Sequence, residues 1–159
     1  MKKLLSIIFM FAMLITTATK TLADEATDAR AFFNSYVQAA NTYSPTVTSY
    51  YSPNAKIIRQ VVKPDGTTAN AYTDTATYIK QMKLGQASAK MRHYKNTYSN
   101  VSVTKVANGK YKVSSLRQPS GETYKLKTYM IVQKQPNGKW LIVEEMMQTK
   151  VQMFLKYAK

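Results

Sequence analysis

This chain predicts an α+β fold, and three observations carry that prediction. Its first third places apolar residues at helical spacing, and most of its second half alternates at strand spacing. Turns containing glycine cut that second half into short runs, at Asn108-Gly109, Pro119-Ser120-Gly121 and Pro136-Asn137-Gly138. Helices first and an antiparallel meander afterwards define the class.

The opening residues read as an address rather than as part of the fold. Lys2 and Lys3 precede an uncharged run from Leu4 to Ile15, and Thr21-Leu22-Ala23 puts small residues at −3 and −1. That pattern predicts a secretory signal peptide over 1–23, cleaved between Ala23 and Asp24. The run falls short of the roughly 20 apolar residues that span a bilayer, which argues against an anchor. There is no cysteine, which excludes both lipid attachment at a cysteine and disulfide stapling. The expectation is an exported protein, periplasmic or extracellular, held together by packing alone. One domain over 24–149 and a tail over 150–159 make up the rest.

Twenty-three basic residues face 8 acidic ones, for a formal net charge of +15. Such a balance favours anionic partners, either lipid head groups or an acidic protein. The lysines are scattered rather than gathered in a run, so solubility explains them equally well and nucleic acid is not an expected partner.

The elements follow in order. Over 26–43, Phe32, Phe33, Tyr36, Val37 and Ala40 form the apolar stripe of an amphipathic helix. Ser44-Pro45 is a cap serine followed by a first-turn proline, predicting a short second helix to about Tyr51 that Ser52-Pro53-Asn54 ends. AKIIRQVV from Ala55 is strand-like and stops at Lys63-Pro64-Asp65-Gly66. Thr67 to Tyr72 makes a short strand. Asp74 caps a third helix, Thr75 to about Gln86, which buries Tyr78, Ile79 and Met82 and weakens at Gly85. Everything after Ala89 reads as antiparallel sheet, with His93 in the first of those strands.

The stretch GKWLIVEEMMQT contains two adjacent glutamates. Neighbouring strand residues point to opposite faces, so Glu144 and Glu145 cannot act as a pair. A turn at Pro136-Asn137 sets residue 135 opposite 139, which puts Val132 against Ile142, Met130 against Glu144 and Tyr129 against Glu145. One face then holds Val101, Val103, Leu116, Tyr124, Leu126, Met130, Val132, Trp140, Ile142, Glu144 and Met146. The other holds Tyr111, Val113, Arg117, Lys125, Lys127, Tyr129, Ile131, Leu141, Val143, Glu145 and Met147. On this register Glu145 makes a surface ion pair near Lys127. Glu144 either reaches a pocket or lies at the sheet rim, because a buried lone carboxylate is costly.

A long helix, a short helix, YSPNAKI entering a strand, a third helix and a meander ending in GKWLIVEE together resemble the nuclear-transport-factor-2-like superfamily. That group includes ketosteroid isomerase, scytalone dehydratase, limonene epoxide hydrolase and the polyketide cyclases. The likeness spans about residues 27–149. It implies a strongly curved sheet wrapped as a cone around its helices, a pocket between them, and pairing of copies through the outer sheet face. The apolar side chains of the second face fit that pairing, which makes a homodimer the expectation.

The superfamily's acid–base residues carry over poorly, since Asp24, Asp28, Asp65 and Asp74 lie at the N-terminus, in a turn and at a helix cap. His93 is the chain's single histidine. With Glu144 or Tyr36 nearby it is a candidate general base, or else it has no role beyond packing. Twelve tyrosines suit a pocket for an amphipathic molecule, or simply good sheet. Ligand-contact candidates are Tyr36, Tyr78, Tyr94, Met130, Trp140 and Glu144, with Tyr43, Tyr50, Tyr51, Tyr72 and Tyr98 also on elements near the pocket. No metal and no cofactor are expected, because one histidine without cysteine makes a poor ligand set and no glycine loop is built for phosphate. On a helix the tail gathers Val151, Phe154, Leu155 and Ala158, which suits an anionic membrane surface or a cap on its own domain.

Three functions fit these residues. The first is an exported binding or interaction module for a small hydrophobic or amphipathic molecule or a protein partner. The second is a pocket isomerase, dehydratase or hydrolase using His93 and Glu144. The third is an accessory subunit of a periplasmic secretion or lipid-transport system.

Overall fold

The computed structural model describes residues 22–158. The charged and apolar parts of the expected leader lie outside the described residues, while Leu22 and Ala23 stand in the first turn of α1. Helix α1 spans Leu22–Asn41 with Asp24 and Glu25 in its first turn, where negative charge complements the helix dipole. Ala29, Phe33 and Tyr36 are buried along one face. A short 3-10 helix, Pro45–Tyr50, follows, and Thr46 N–H donates to Ser44 Oγ at 3.2 Å as the cap pattern predicts.

Strand β1 is Tyr51–Val62 and begins earlier than expected. Ser52-Pro53-Asn54 belongs to it as an irregular stretch, for its register against β6 (Trp140–Thr149) shifts between Tyr51 and Lys56. Proline is tolerated at such a break in the ladder. β2 is Thr68–Thr73. Helix α2 runs Thr75–Met91 under the Asp74 cap, which accepts from Thr77 N–H at 2.8 Å. It passes Gln86 because Ala87, Ala89 and Lys90 favour helix strongly enough to outweigh the roughly 1 kcal/mol cost of Gly85. His93 is therefore in no strand. It lies beyond the helix end at φ 50 and is exposed.

The remaining strands are β3 (Asn96–Ala107), β4 (Lys110–Pro119) and β5 (Leu126–Lys134). The β4–β5 connection is a loop over 120–125 rather than a tight turn. The six-stranded sheet has the order β2-β1-β6-β5-β4-β3. Its pairings are antiparallel except that β1 and β6 run parallel, so the sheet is mixed. It is strongly curved but not closed; α1 packs against β3 and β4, α2 against β1, and the first 3-10 helix against β6.

The turn after β5 forms as expected, with Gln135 N–H donating to Lys139 O at 2.7 Å. Val132 pairs with Ile142 as well, but the next partners are Ile131 with Glu144 and Met130 with Glu145. Val143 is the extra residue of a β-bulge, and beyond it the two faces exchange. The concave face holds Tyr111, Val113, Arg117, Leu126, Met130, Val132, Ile142 and Glu145, all buried. β4 stands on the other side from that expected for a separate reason, since across the 120–125 loop Tyr111 pairs with Val132 and Val113 with Met130. Glu144 takes the convex face, where its Oε1 accepts from Tyr129 Oη at 2.6 Å. Lys112 lies over the Tyr129 ring, and Gln60 links Asn70 to Gln148 through side-chain hydrogen bonds. That face is more polar than expected, and Met147 has left it for the inner side.

The tail forms a second 3-10 helix, Gln152–Tyr157, folded back on the sheet edge. Gln152 Nε2 donates to Val62 O, and Ala158 bridges to Ala71 of β2.

Candidate functional site

Glu145 is wholly buried at the centre of the concave face. Arg59 of β1 donates from Nη1 to its Oε1 at 2.8 Å, Tyr78 of α2 donates to the same oxygen at 3.3 Å, and Tyr51 donates to Oε2. The Tyr51 hydroxyl also bonds that of Tyr36 at 2.8 Å. The Arg59 guanidinium stands 4.7 Å over the Tyr78 ring. The surface pair with Lys127 expected for Glu145 does not exist, because the Val143 bulge turns it inward against a cation 86 residues away in sequence.

Burial, reinforced by the Glu145 charge, holds the Tyr36 and Tyr51 hydroxyls well above the ordinary tyrosine range. Burial raises Tyr78 too, against the opposing effect of Arg59. Burial by itself would lower Arg59, but Tyr78, Glu145 and Tyr51 outweigh it and hold the guanidinium charged. Chemically this is a locked ion pair with neutral tyrosine donors around it. Its carboxylate is bonded on both oxygens and shut from solvent, so it is placed to hold structure and not to take a proton from a substrate.

Beside this network lies a cavity of about 300 Å³. Its walls come from α1 (Tyr36, Ala40), the segment after it (Tyr43, Val47), α2 (Tyr78, Met82, Gln86), and the sheet (Tyr98, Arg117, Met147). Tyr43 is held at φ 58, a strained value for a bulky residue, and its carbonyl accepts from Gln86 Nε2 at 2.7 Å. Arg117 is buried, donating from Nη1 to Asn96 Oδ1 and from Nη2 to Gln148 O, each at 2.9 Å. Burial raises Tyr98 well above its ordinary value, with Arg117 opposing.

Of the residues singled out from sequence, Tyr36, Tyr78 and Tyr94 line this cavity, together with Tyr43 and Tyr98. Met130 is buried in the core, and Trp140 packs edge-on against Tyr111, so neither reaches it. Tyr50 packs on Phe32 and Tyr36, Tyr51 belongs to the buried network, and Tyr72 is exposed near the tail. His93 and Glu144 lie on the post-helix loop and the convex face, and they do not converge. Among the described residues no cluster of three or more His, Asp or Glu could hold a metal ion.

No family model matches the chain, and no curated protein does. Solved structures do. A domain of unknown function with a cystatin-like fold from Nostoc punctiforme is 19% identical with a TM-score of 0.58, over 86% of this chain and 85% of its own. A nuclear-transport-factor-2-like protein of unknown function from Shewanella oneidensis is 12% identical with a TM-score of 0.56, over 77% and 98%. The chain has the nuclear-transport-factor-2-like fold. A protein from Catenulispora acidiphila in complex with S-DNPA shares it at 7% identity and a TM-score of 0.55, over 79% and 93%.

Within that fold, Arg59 and Arg117 are the site residues that sequence reasoning passed over. Both left a trace. Arg59 alternates with Ile57 and Val61, and Arg117 with Tyr111 and Val113, so each is a cation in an apolar phase and needs a partner inside.

Proposed function

We propose that the chain is a non-catalytic binding module that holds a small amphipathic molecule in the tyrosine-lined cavity. The carrying observation is that the cavity is walled by Tyr36, Tyr43, Tyr78 and Tyr98 while the nearest carboxylate is consumed by Arg59 and two tyrosines. Aromatic walls with polar tips suit a ligand that is apolar with a few polar groups. A neighbour of the same fold solved in complex with S-DNPA supports a ligand-holding use. Export, an envelope partner, anionic-lipid contact through the basic surface, and pairing of two copies through the convex face belong to the same proposal. Native mass spectrometry of protein purified from its source tests it. A co-purifying small molecule, lost when Met82→Trp fills the cavity, is the expected result. A particle that stays empty and gains no mass with any offered amphipathic molecule overturns it.

One observation favours a second reading. A neighbour of the same fold is described as a putative scytalone dehydratase, which keeps a pocket enzyme as the alternative. Turnover of an offered carbonyl or hydroxylated compound by the purified protein would displace the module.

A further inference from the structure

Two residues of the cavity wall each carry a buried polar atom that the fold leaves without a partner. Arg117 Nε and Tyr43 Oη are both buried and neither makes a hydrogen bond. Each residue lines the same cavity, one from β4 and one from the turn after α1. A buried donor left unpaired costs about 1–3 kcal/mol, more when it is charged, so native folds seldom keep two among the lining residues of one cavity without use.

Arg117 also differs from Arg59 in its charge balance. Arg59 has Glu145. Arg117 bonds a side-chain amide and a backbone carbonyl, and among the described residues no carboxylate neutralises it. Tyr98 pairs with it across the β3–β4 ladder, and Tyr94, Met82 and Met147 line the same cavity. A buried guanidinium lacking a counter-ion, with a hydroxyl donor in the same wall, is a site missing an anion.

We propose that Arg117 and Tyr43 form an anion subsite, and that the molecule held in the cavity is a small apolar carboxylate. The inference rests on the binding-module reading and sharpens it by naming the ligand's polar end. The carboxylate accepts from Arg117 and Tyr43 while its apolar body lies against Tyr36, Tyr78 and Met82. Both donor atoms are buried behind the cavity surface, so a small side-chain adjustment accompanies entry. The cavity, about 300 Å³, sits at the small end of ligand pockets, which suits one or two rings.

Calorimetry with 2-naphthoate and its neutral amide, 2-naphthamide, tests this. The expected result is a carboxylate preference of at least about tenfold, as a charge-assisted bond in a buried site gives. Tyr43→Phe keeps the ring and should shrink the preference several-fold, and Arg117→Gln should erase it. The wild-type preference should survive raised salt, whereas binding to surface lysines would be screened away. Equal affinity for acid and amide overturns the anion subsite and leaves the binding module standing. A preference unchanged in both variants overturns it as well, since the anion would then be held elsewhere. Neither compound binding at about 1 mM to protein shown folded by circular dichroism overturns both readings.

Discussion

Arg59 Nη1 lies 2.8 Å from Glu145 Oε1, and the Glu145 side chain has no exposure while the Arg59 side chain retains 13%. An ion pair so enclosed is held by geometry, and removing one member strands the other.

Two adjacent glutamates should therefore behave very differently. Glu145→Ala leaves Arg59 uncompensated in the core and should cost about 3–5 kcal/mol. Glu144→Ala loses one half-exposed bond to Tyr129 and should cost about 1 kcal/mol or less. Urea unfolding of both variants measures the contrast. In the double variant Arg59→Met, Glu145→Leu, only part of the loss should be recovered, because the lone charge is gone but the buried Tyr51 and Tyr78 hydroxyls have lost their acceptor.

Alkali should find the tyrosine network. Tyr36, Tyr51 and Tyr78 have pKa values raised above the ordinary tyrosine value by burial. The folded state therefore keeps protons that the unfolded chain releases above about pH 10. Their contribution to stability is complete below that value and is lost as pH climbs from it towards the folded pKa values. Tyrosinate absorbance should show a late stage that coincides with unfolding, when the three buried hydroxyls ionise. A single stage at the ordinary value would refute the buried network.

His93 should prove dispensable for binding and mildly unfavourable for folding. It sits at φ 50, where a Cβ is strained and glycine is not. His93→Gly should be neutral or stabilising by up to about 1 kcal/mol, and His93→Val destabilising. Thermal melts separate the two.

Gly85 interrupts α2 without need. A Cβ added there meets nothing within 4 Å, and the position is helical. Gly85→Ala should stabilise the protein by about 0.5–1 kcal/mol. Loss of stability would mean that the helix requires the freedom of glycine at the cavity wall.

Much of this fold could be read locally. The stripe of Phe33 and Tyr36, the Ser44 and Asp74 caps, and the turns at Asn108-Gly109 and Pro136-Asn137 each draw on residues a few positions apart, and each forms. The tyrosines of the cavity were legible for the same reason, as an enrichment on elements whose order suggested the scaffold. The faces of β6 were not. Alternation predicts them only while the ladder is regular, and Val143 adds a residue that no local pattern marks, because a bulge answers to the curvature of the whole sheet. The consequence was an exchange of roles between Glu144 and Glu145. The parallel pairing of β1 with β6, which brings Arg59 beside Glu145, joins segments far apart in the chain, and so does the cavity that Arg117 and Tyr43 both line. Local propensity has no reach over such distances. Burial and charge compensation choose those partners once the chain has closed around its core.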